Sequence, residues 1–170
     1  MKDNFVDALI HVLKHEGGYV HHKLDPGGRT CLGVTQLVWE EWCGRESNEK
    51  EMRSLTPEMV APLYRKKYWD KVNGDSLPDG LDYSVFDFAV NSGPGRAAKF
   101  LQELIGIKTD GFIGPMTLAA LNNKPIDELV KSYNAKRQSF LEELPKFKTF
   151  GKGWSRRVVS VTTESLSMIV

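Results

Sequence analysis

Three polar side chains near the start of the chain have the types and spacing needed for acid–base chemistry. Glu16 is followed by Asp25 and Thr30 in a stretch rich in glycine. Cleavage of a glycosidic bond uses this inventory: a protonated carboxyl group donates to the leaving oxygen, and an ionised one activates water or stabilises the transition state. A structural alternative stays open, in which Glu16 binds amide groups of a turn and Asp25 only begins that turn.

Two local elements must position these side chains. Apolar residues at helical spacing precede Glu16, and Gly17 can supply the positive φ that ends a helix, so Glu16 is predicted to close helix one. A carboxylate is disfavoured at the negative end of a helix, and such a conflict is typical of a functional site. The glycines and proline of residues 19–34 favour a tight turn or small β-hairpin, which can return Asp25 and Thr30 towards Glu16.

The rest of the chain is predicted to be helical. Thr56 followed by Pro57 is a strong helix start. The sequence therefore indicates an all-α protein, or α+β if the hairpin near residues 19–34 is counted. Helices are expected to begin near Thr35, to run from Pro57 to Trp69, over 83–91, 97–105, 115–121 and 125–144, and to resume near Trp154 after a glycine-rich loop, FGKGW at 150–154.

Composition bounds the class of protein. With 170 residues, 41% of them hydrophobic and 26% charged, the chain suits one globular unit over residues 1–170. Charged residues interrupt the apolar positions at the N-terminus, so we expect no signal peptide, no membrane span, and synthesis in the cytosol. The two cysteines, Cys31 and Cys43, are expected to be free thiols.

Basic residues are concentrated at the C-terminal end. Over residues 131–170, eight lysines and arginines face three glutamates. This excess suits an anionic polymer such as nucleic acid or cell wall, or is simply a solvated helix face. Arg156 and Arg157 could meet carboxylates of the wall or form internal salt bridges.

The two motifs around Glu16 and Asp25 resemble those of a known enzyme family. HEGGY at 15–19 and DPGGRTCLGVT at 25–35 are similar to the signature of glycoside hydrolase family 108, N-acetylmuramidases of phages and bacteria. The segments YRKKYWD at 64–70, FDFAVNSGPGRAAKFLQ at 86–102 and DGFIGPMTLAAL at 110–121 resemble the rest of that family. The resemblance therefore extends over most of the chain.

The resemblance implies a fold, an activity and a set of catalytic residues. The fold would be a two-lobed, lysozyme-like helical one, with residues 1–71 as the catalytic lobe and 72–170 as a peptidoglycan-binding-like lobe. Glu16 would be the general acid in hydrolysis of the β-1,4 bond between N-acetylmuramic acid and N-acetylglucosamine. Asp25 and Thr30 would hold and activate the attacking water, by analogy with phage-type lysozymes, which implies inversion at the anomeric carbon.

Aromatic and amide side chains could line a saccharide cleft. Tyr19, Tyr68 and Tyr83 offer flat rings for sugars, and Asn91 could bind an acetamido group or cap a helix. Trp69 is expected to lie in the core instead.

Other functions must be weighed against a muramidase. His11 and His15 lie one helical turn apart, but HEGGY has Tyr19 where the HExxH zinc motif needs histidine, so no metal site and no cofactor are expected. A non-catalytic peptidoglycan-binding protein and a zinc-dependent amidase or peptidase remain the alternatives.

The resemblance also implies partners and a cellular setting. The expected partners are peptidoglycan glycan strands, with no nucleic acid and no stable membrane insertion, and the protein is expected to be a monomer. A phage endolysin of this kind would be made in the host cytoplasm, released through a holin, and then act on the cell wall as an antimicrobial enzyme.

Overall fold

The computed structural model describes residues 3–21 and 28–170. The described residues are 71% helical and include one small three-stranded sheet, which confirms the predicted mainly α class with a hairpin near the start. None of the described helices is both long enough and apolar enough to cross a membrane. The elements are α1 (Asn4–Glu16), β1 (Val20–His21), β2 (Arg29–Cys31), β3 (Val34–Thr35), α2 (Gln36–Cys43), α3 (Glu49–Arg53), α4 (Pro57–Tyr64), α5 (Leu81–Ser92), α6 (Pro94–Ile105), α7 (Pro115–Leu121), α8 (Ile126–Glu142) and α9 (Phe147–Met168), with a π-helix at Arg65–Trp69 and 3₁₀ turns at Asp70–Val72 and Gly74–Ser76.

Side-chain caps begin three of these helices. Thr35, Asn48 and Thr56 each accept a hydrogen bond from a backbone N–H in the first turn of α2, α3 and α4 respectively. Such caps satisfy donors that a helix N-terminus leaves unpaired. The starts predicted near Thr35 and at Pro57 are confirmed, whereas the short helix α3 was not predicted.

The predicted helix from Pro57 to Trp69 changes its geometry part-way. The α-helical part ends at Tyr64, and Arg65–Trp69 continues as a π-helix. A π-turn has a longer repeat than an α-turn, so residues five apart can share a face. Trp69, the last residue of the π-helix, is buried against the rings of Phe5 and Phe86, which confirms the core position expected for it.

The glycine-rich loop predicted at 150–154 is wrong. Helix α9 begins at Phe147 and runs through both glycines of FGKGW without a break. The reason is local packing, since a Cβ on Gly151 would lie 2.8 Å from the ring of Phe147. Glycine is therefore tolerated inside this helix because it makes room for an aromatic ring.

Two compact units divide the described chain. The N-terminal unit consists of residues 6–66, and the C-terminal unit consists of residues 67–170 together with the described residues up to Phe5. The N-terminal unit holds the sheet, α2, α3 and α4, and the C-terminal unit holds α5 to α9.

Helix α5 is the centre of the C-terminal unit. Every residue from Leu81 to Ala89 is buried, and α6, α8 and α9 pack around the helix. Two of its buried polar side chains, Ser84 and Asp87, form hydrogen bonds with α8 and α9. Ser84, for example, bonds to Ser165 of α9 at 2.6 Å and to the Asn134 amide of α8 at 3.0 Å. These pairings fix which faces of α8 and α9 turn towards α5.

Asp87 of α5 forms the most deeply buried ion pair in the described residues. Its carboxylate accepts from Arg137 of α8 at 2.7 Å and from Arg157 of α9 at 3.0 Å. Burial alone would raise the pKa of Asp87, but the two guanidinium groups outweigh it and hold the pKa below its usual value.

We predict that Asp87→Asn lowers the free energy of unfolding by about 3 to 5 kcal/mol, because it leaves a guanidinium buried without a counter-charge. The matched control is Glu103→Gln, which breaks the exposed pair of Glu103 and Lys136 at 2.7 Å. That change should cost less than about 1 kcal/mol. Urea unfolding followed by circular dichroism measures both, and equal losses would contradict the prediction.

Asp82, at the start of α5, is a buried carboxyl group whose hydrogen-bond donors in the described residues are all neutral. It accepts from the backbone N–H groups of Gly80 and Tyr83 and from the amide of Asn4. Burial nevertheless dominates and raises its pKa to about 6. The folded protein therefore binds a proton at Asp82 more tightly than the unfolded chain does. The contribution of this proton to the free energy of unfolding is present in full below about pH 4 and is lost as the pH rises through about 6.

We therefore predict that the wild type loses about 2 kcal/mol of stability relative to Asp82→Asn between pH 4 and pH 7. The variant keeps a neutral side chain throughout this range. Urea unfolding at each pH measures the difference, with the exposed Glu58→Gln as control. A wild-type minus variant difference that does not change with pH would refute the assignment.

Candidate functional site

Glu16 lies where the sequence predicts it, at the last position of α1. Gly17 follows with φ 77°, and its N–H donates to the carbonyl of Leu13 at 3.3 Å. This left-handed glycine ends the helix and turns the chain towards β1. The Glu16 side chain is only partly exposed.

The predicted hairpin is a three-stranded antiparallel sheet in the order β1–β2–β3, with Thr30 in its central strand. Thr30 pairs with Val20 of β1 and with Thr35 of β3. Because side chains alternate across a strand, Thr30 faces the side of the sheet opposite to buried Cys31. Burial also raises the pKa of the Cys31 thiol.

A two-residue turn joins β2 to β3. Leu32 and Gly33 have φ values of 51° and 76°, as a type I′ hairpin turn requires at both central positions. Leucine in this region costs about 1 to 2 kcal/mol. The hydroxyl of Tyr64 in α4 donates to the Leu32 carbonyl at 2.7 Å and so helps to hold the turn in place.

This turn packs directly against the side chain of Glu16. A Cβ added to Gly33 would lie 3.0 Å from both Cβ and Cγ of Glu16 and 2.5 Å from the hydroxyl of Tyr64. Only glycine leaves room for both neighbours. Gly33 thus connects the two sequence motifs physically, since it belongs to the second and contacts the carboxylic side chain of the first.

A polar network fixes the sheet to α2 and to the chain before α3. Arg29 of β2 donates to Gln36 at 3.1 Å, and Gln36 donates in turn to Glu40 at 3.1 Å and to the carbonyl of Ser47 at 3.0 Å. Hydrogen bonds lower the pKa of Glu40. The larger effect comes from the backbone N–H of Ser47 and a smaller one from the side-chain amide of Gln36. The strand that carries Thr30 is therefore held from both ends, by this network and by the Leu32–Gly33 turn.

Tyr19 is the aromatic residue next to Glu16 in the first motif. The guanidinium of Arg53 lies 4.1 Å from its ring centre, so one ring face is covered. Its hydroxyl is buried and has no hydrogen-bond partner among the described residues. Such a group is costly unless something satisfies it, which suits a residue at a binding site.

The other residues predicted for saccharide binding lie in the C-terminal unit. Tyr68 is a partly exposed residue of the π-helix, and Asn91 is exposed in the last turn of α5, where it accepts from Ser92 at 3.2 Å. Tyr83 is completely buried in α5, and burial raises its pKa. The Tyr83 ring therefore offers no face to a sugar in this structure.

Asp25 lies outside the described residues. His11 and His15 are partly exposed on α1. Among residues 3–21 and 28–170, no three histidine, cysteine or acidic side chains are close enough to bind a metal ion.

Sequence reasoning missed the support of Glu16 by Gly33, Leu32 and Tyr64. The signal was present, because Gly33 is part of the second motif and Tyr64 opens the segment YRKKYWD. What a sequence does not show is that these residues meet.

Two family models match the chain. The model for glycosyl hydrolase 108 matches residues 9–93, and a model described as a predicted peptidoglycan domain matches residues 96–159. The solved structure of SagA from Brucella abortus is 42% identical, with a TM-score of 0.85 over 99% of this chain and 97% of that one. The chain belongs to the glycosyl hydrolase 108 family. Comparison with curated proteins gave no match.

Family membership gives the chain a coarse function. It is a glycoside hydrolase with a mainly α, lysozyme-like fold and a peptidoglycan-hydrolysing role. The model for glycosyl hydrolase 108 continues into α5 of the C-terminal unit, so the family match and the two compact units do not share a boundary.

We predict that Gly33→Ala both destabilises the protein and reduces peptidoglycan hydrolysis. Gly44 provides a matched control, since its φ of 71° is almost the same but nothing lies within 4 Å of the added Cβ. The backbone cost of about 1 kcal/mol is common to both variants. The clash with Glu16 and Tyr64 should add about 2 kcal/mol at Gly33 alone.

Urea unfolding and release of reducing ends from purified peptidoglycan measure the two effects. Gly44→Ala should keep wild-type turnover per folded molecule, whereas Gly33→Ala should lose most of it because Glu16 is displaced. Equal stability and turnover in the two variants would show that the close approach is unimportant.

Proposed function

We propose that this family member is an N-acetylmuramidase that hydrolyses the β-1,4 bond between N-acetylmuramic acid and N-acetylglucosamine, with Glu16 as general acid. The observation that carries the proposal is the packing of Gly33 against the Glu16 side chain. This contact restrains Cβ and Cγ of Glu16, which is the last residue of α1. A general acid must be held in place to protonate one particular oxygen.

The proposed reaction uses one carboxyl group as acid and a second as base. The Glu16 carboxyl group transfers its proton to the glycosidic oxygen as the bond from that oxygen to the anomeric carbon breaks. A water molecule then forms the new bond to the anomeric carbon and gives up a proton. Asp25 is proposed as the base that takes this proton, and attack from the opposite side inverts the anomeric carbon.

Thr30 is proposed to orient the water through its hydroxyl group. Its support is its place in the central strand, where pairing on both sides restrains the backbone. Asp25 follows β1 and precedes β2 in the sequence, five positions before Thr30.

Sugar recognition is proposed for Tyr19, Tyr68 and Asn91. The buried Tyr19 hydroxyl supports the first of these, because a saccharide hydroxyl or acetamido group could satisfy it. Tyr83 is better explained as part of the packing of α5.

A peptidoglycan-binding protein without catalysis is the second candidate, because a peptidoglycan domain model matches residues 96–159. Hydrolysis separates the two functions, since only a glycosidase makes new reducing ends. A zinc-dependent amidase would instead release new amino groups. The proposed setting is that of a monomeric phage lysin that a holin releases to the wall.

We predict that Glu16→Gln lowers turnover on purified peptidoglycan at least 100-fold, the usual contribution of a general acid. Glu58→Gln, which alters an exposed carboxylate of α4 in the same unit, should retain wild-type turnover. Circular dichroism confirms that both variants are folded.

Mass spectrometry of the digest identifies the bond that is cut. Reducing-end N-acetylmuramic acid is expected. Reducing-end N-acetylglucosamine would make the enzyme a glucosaminidase, and wild-type turnover by Glu16→Gln would remove Glu16 from the mechanism.

A further inference from the structure

A long stretch of the C-terminal sequence contains cations and no acidic residue. Between Glu143 and Glu164, five lysines and arginines occur without one aspartate or glutamate. Helix α9 takes up most of this stretch, so its charge is displayed on a rigid element.

The fold divides these cations into two groups. Arg157 turns inwards and pairs with Asp87. Lys148, Lys152 and Arg156 are exposed and follow one another at intervals of four residues, so they form one row along α9. We call these three residues the basic row.

A groove runs beside the basic row. The neighbouring row of α9 consists of Phe147, Gly151 and Ser155, and the two rows together line a depression of about 710 Å³. Gly151 has no side chain to fill this depression, and the ring of Phe147 lies against its backbone. The Ser155 hydroxyl accepts from Gln138 of α8 at 2.9 Å.

The basic row has no internal explanation among the described residues. None of its three side chains forms an ion pair in the described part of the chain, and Arg156 donates only to the carbonyl of Lys152, at 3.3 Å. Like charges four residues apart, about 6 Å along a helix, repel each other and lower helix stability. An external anion would remove this cost.

We propose that the basic row binds the free carboxylates of peptidoglycan stem peptides. Charge complementarity favours an anionic polymer, and the match to a peptidoglycan domain over residues 96–159 covers the whole groove. The inference rests on peptidoglycan as the substrate, but it does not depend on the catalytic roles proposed for Glu16, Asp25 and Thr30. The row would hold the enzyme on the wall through the peptides while hydrolysis takes place on the glycan.

Binding to insoluble peptidoglycan tests the proposal. The full chain carrying Glu16→Gln is sedimented with purified sacculi, native or with their carboxylates converted to methylamides. The test variant adds Lys148→Gln, Lys152→Gln and Arg156→Gln. The control instead adds Lys71→Gln, Lys99→Gln and Lys124→Gln, three exposed lysines of the same unit, so both lose three positive charges.

The control protein should bind native sacculi about tenfold more tightly than the test variant, which is the combined effect expected for three exposed ion pairs. Amidation should reduce binding of the control protein to the level of the test variant and leave the test variant unchanged. Equal binding of the two proteins to native sacculi, or a difference that persists after amidation, would overturn the proposal.

Vesicles of anionic phospholipid and a DNA duplex are measured in parallel. Loss of binding to either of these, with unchanged binding to sacculi, would assign the row to a different polyanion and overturn the proposal. Release of soluble fragments is recorded separately, so continued hydrolysis by Glu16→Gln would refute the catalytic proposal without affecting the binding result.

Discussion

The arrangement of the C-terminal unit depends on one carboxylate that has no exposed surface. Asp87 lies on the helix that is buried on every side, and a lone charge there would be prohibitively costly. Arg137 and Arg157 reach it from α8 and α9, so both helices must present a particular face to α5. These ion pairs add a polar constraint on the rotation of α8 and α9 to that set by the packing of their apolar side chains.

The same constraint decides which basic residues are available to a ligand. Arg156 and Arg157 are neighbours in sequence. From the sequence alone, either could bind carboxylates of the wall or form an internal salt bridge. Once Arg157 is committed to Asp87, the helical rotation of about 100° per residue carries Arg156 away from the core. The basic row is thus a consequence of the internal ion pair.

The candidate catalytic residue is supported by a steric constraint of a different kind. Glu16 is held where it is because α1 ends at Gly17 and because the Leu32–Gly33 turn leaves just enough room for its side chain. Tyr64 secures that turn from α4, so a helix, a hairpin and a second helix all contribute to the position of one carboxyl group. Motifs that are separate in sequence become one structural feature.

The sequence by itself determined the helix end at Glu16, the hairpin with Thr30, the capped start at Pro57 and the family, because each of these depends on residues close together in the chain. Tertiary structure alone decided that Gly33 touches Glu16, that the ring of Tyr83 is buried, and that Gly151 lies inside a helix rather than in a loop. Local rules predicted a loop at Gly151 because glycine is a poor helix former in isolation. In the folded protein the ring of Phe147 packs against Gly151, and this contact favours glycine inside the helix. Contacts between distant residues depend on how whole elements pack, and local patterns in a sequence do not record that packing.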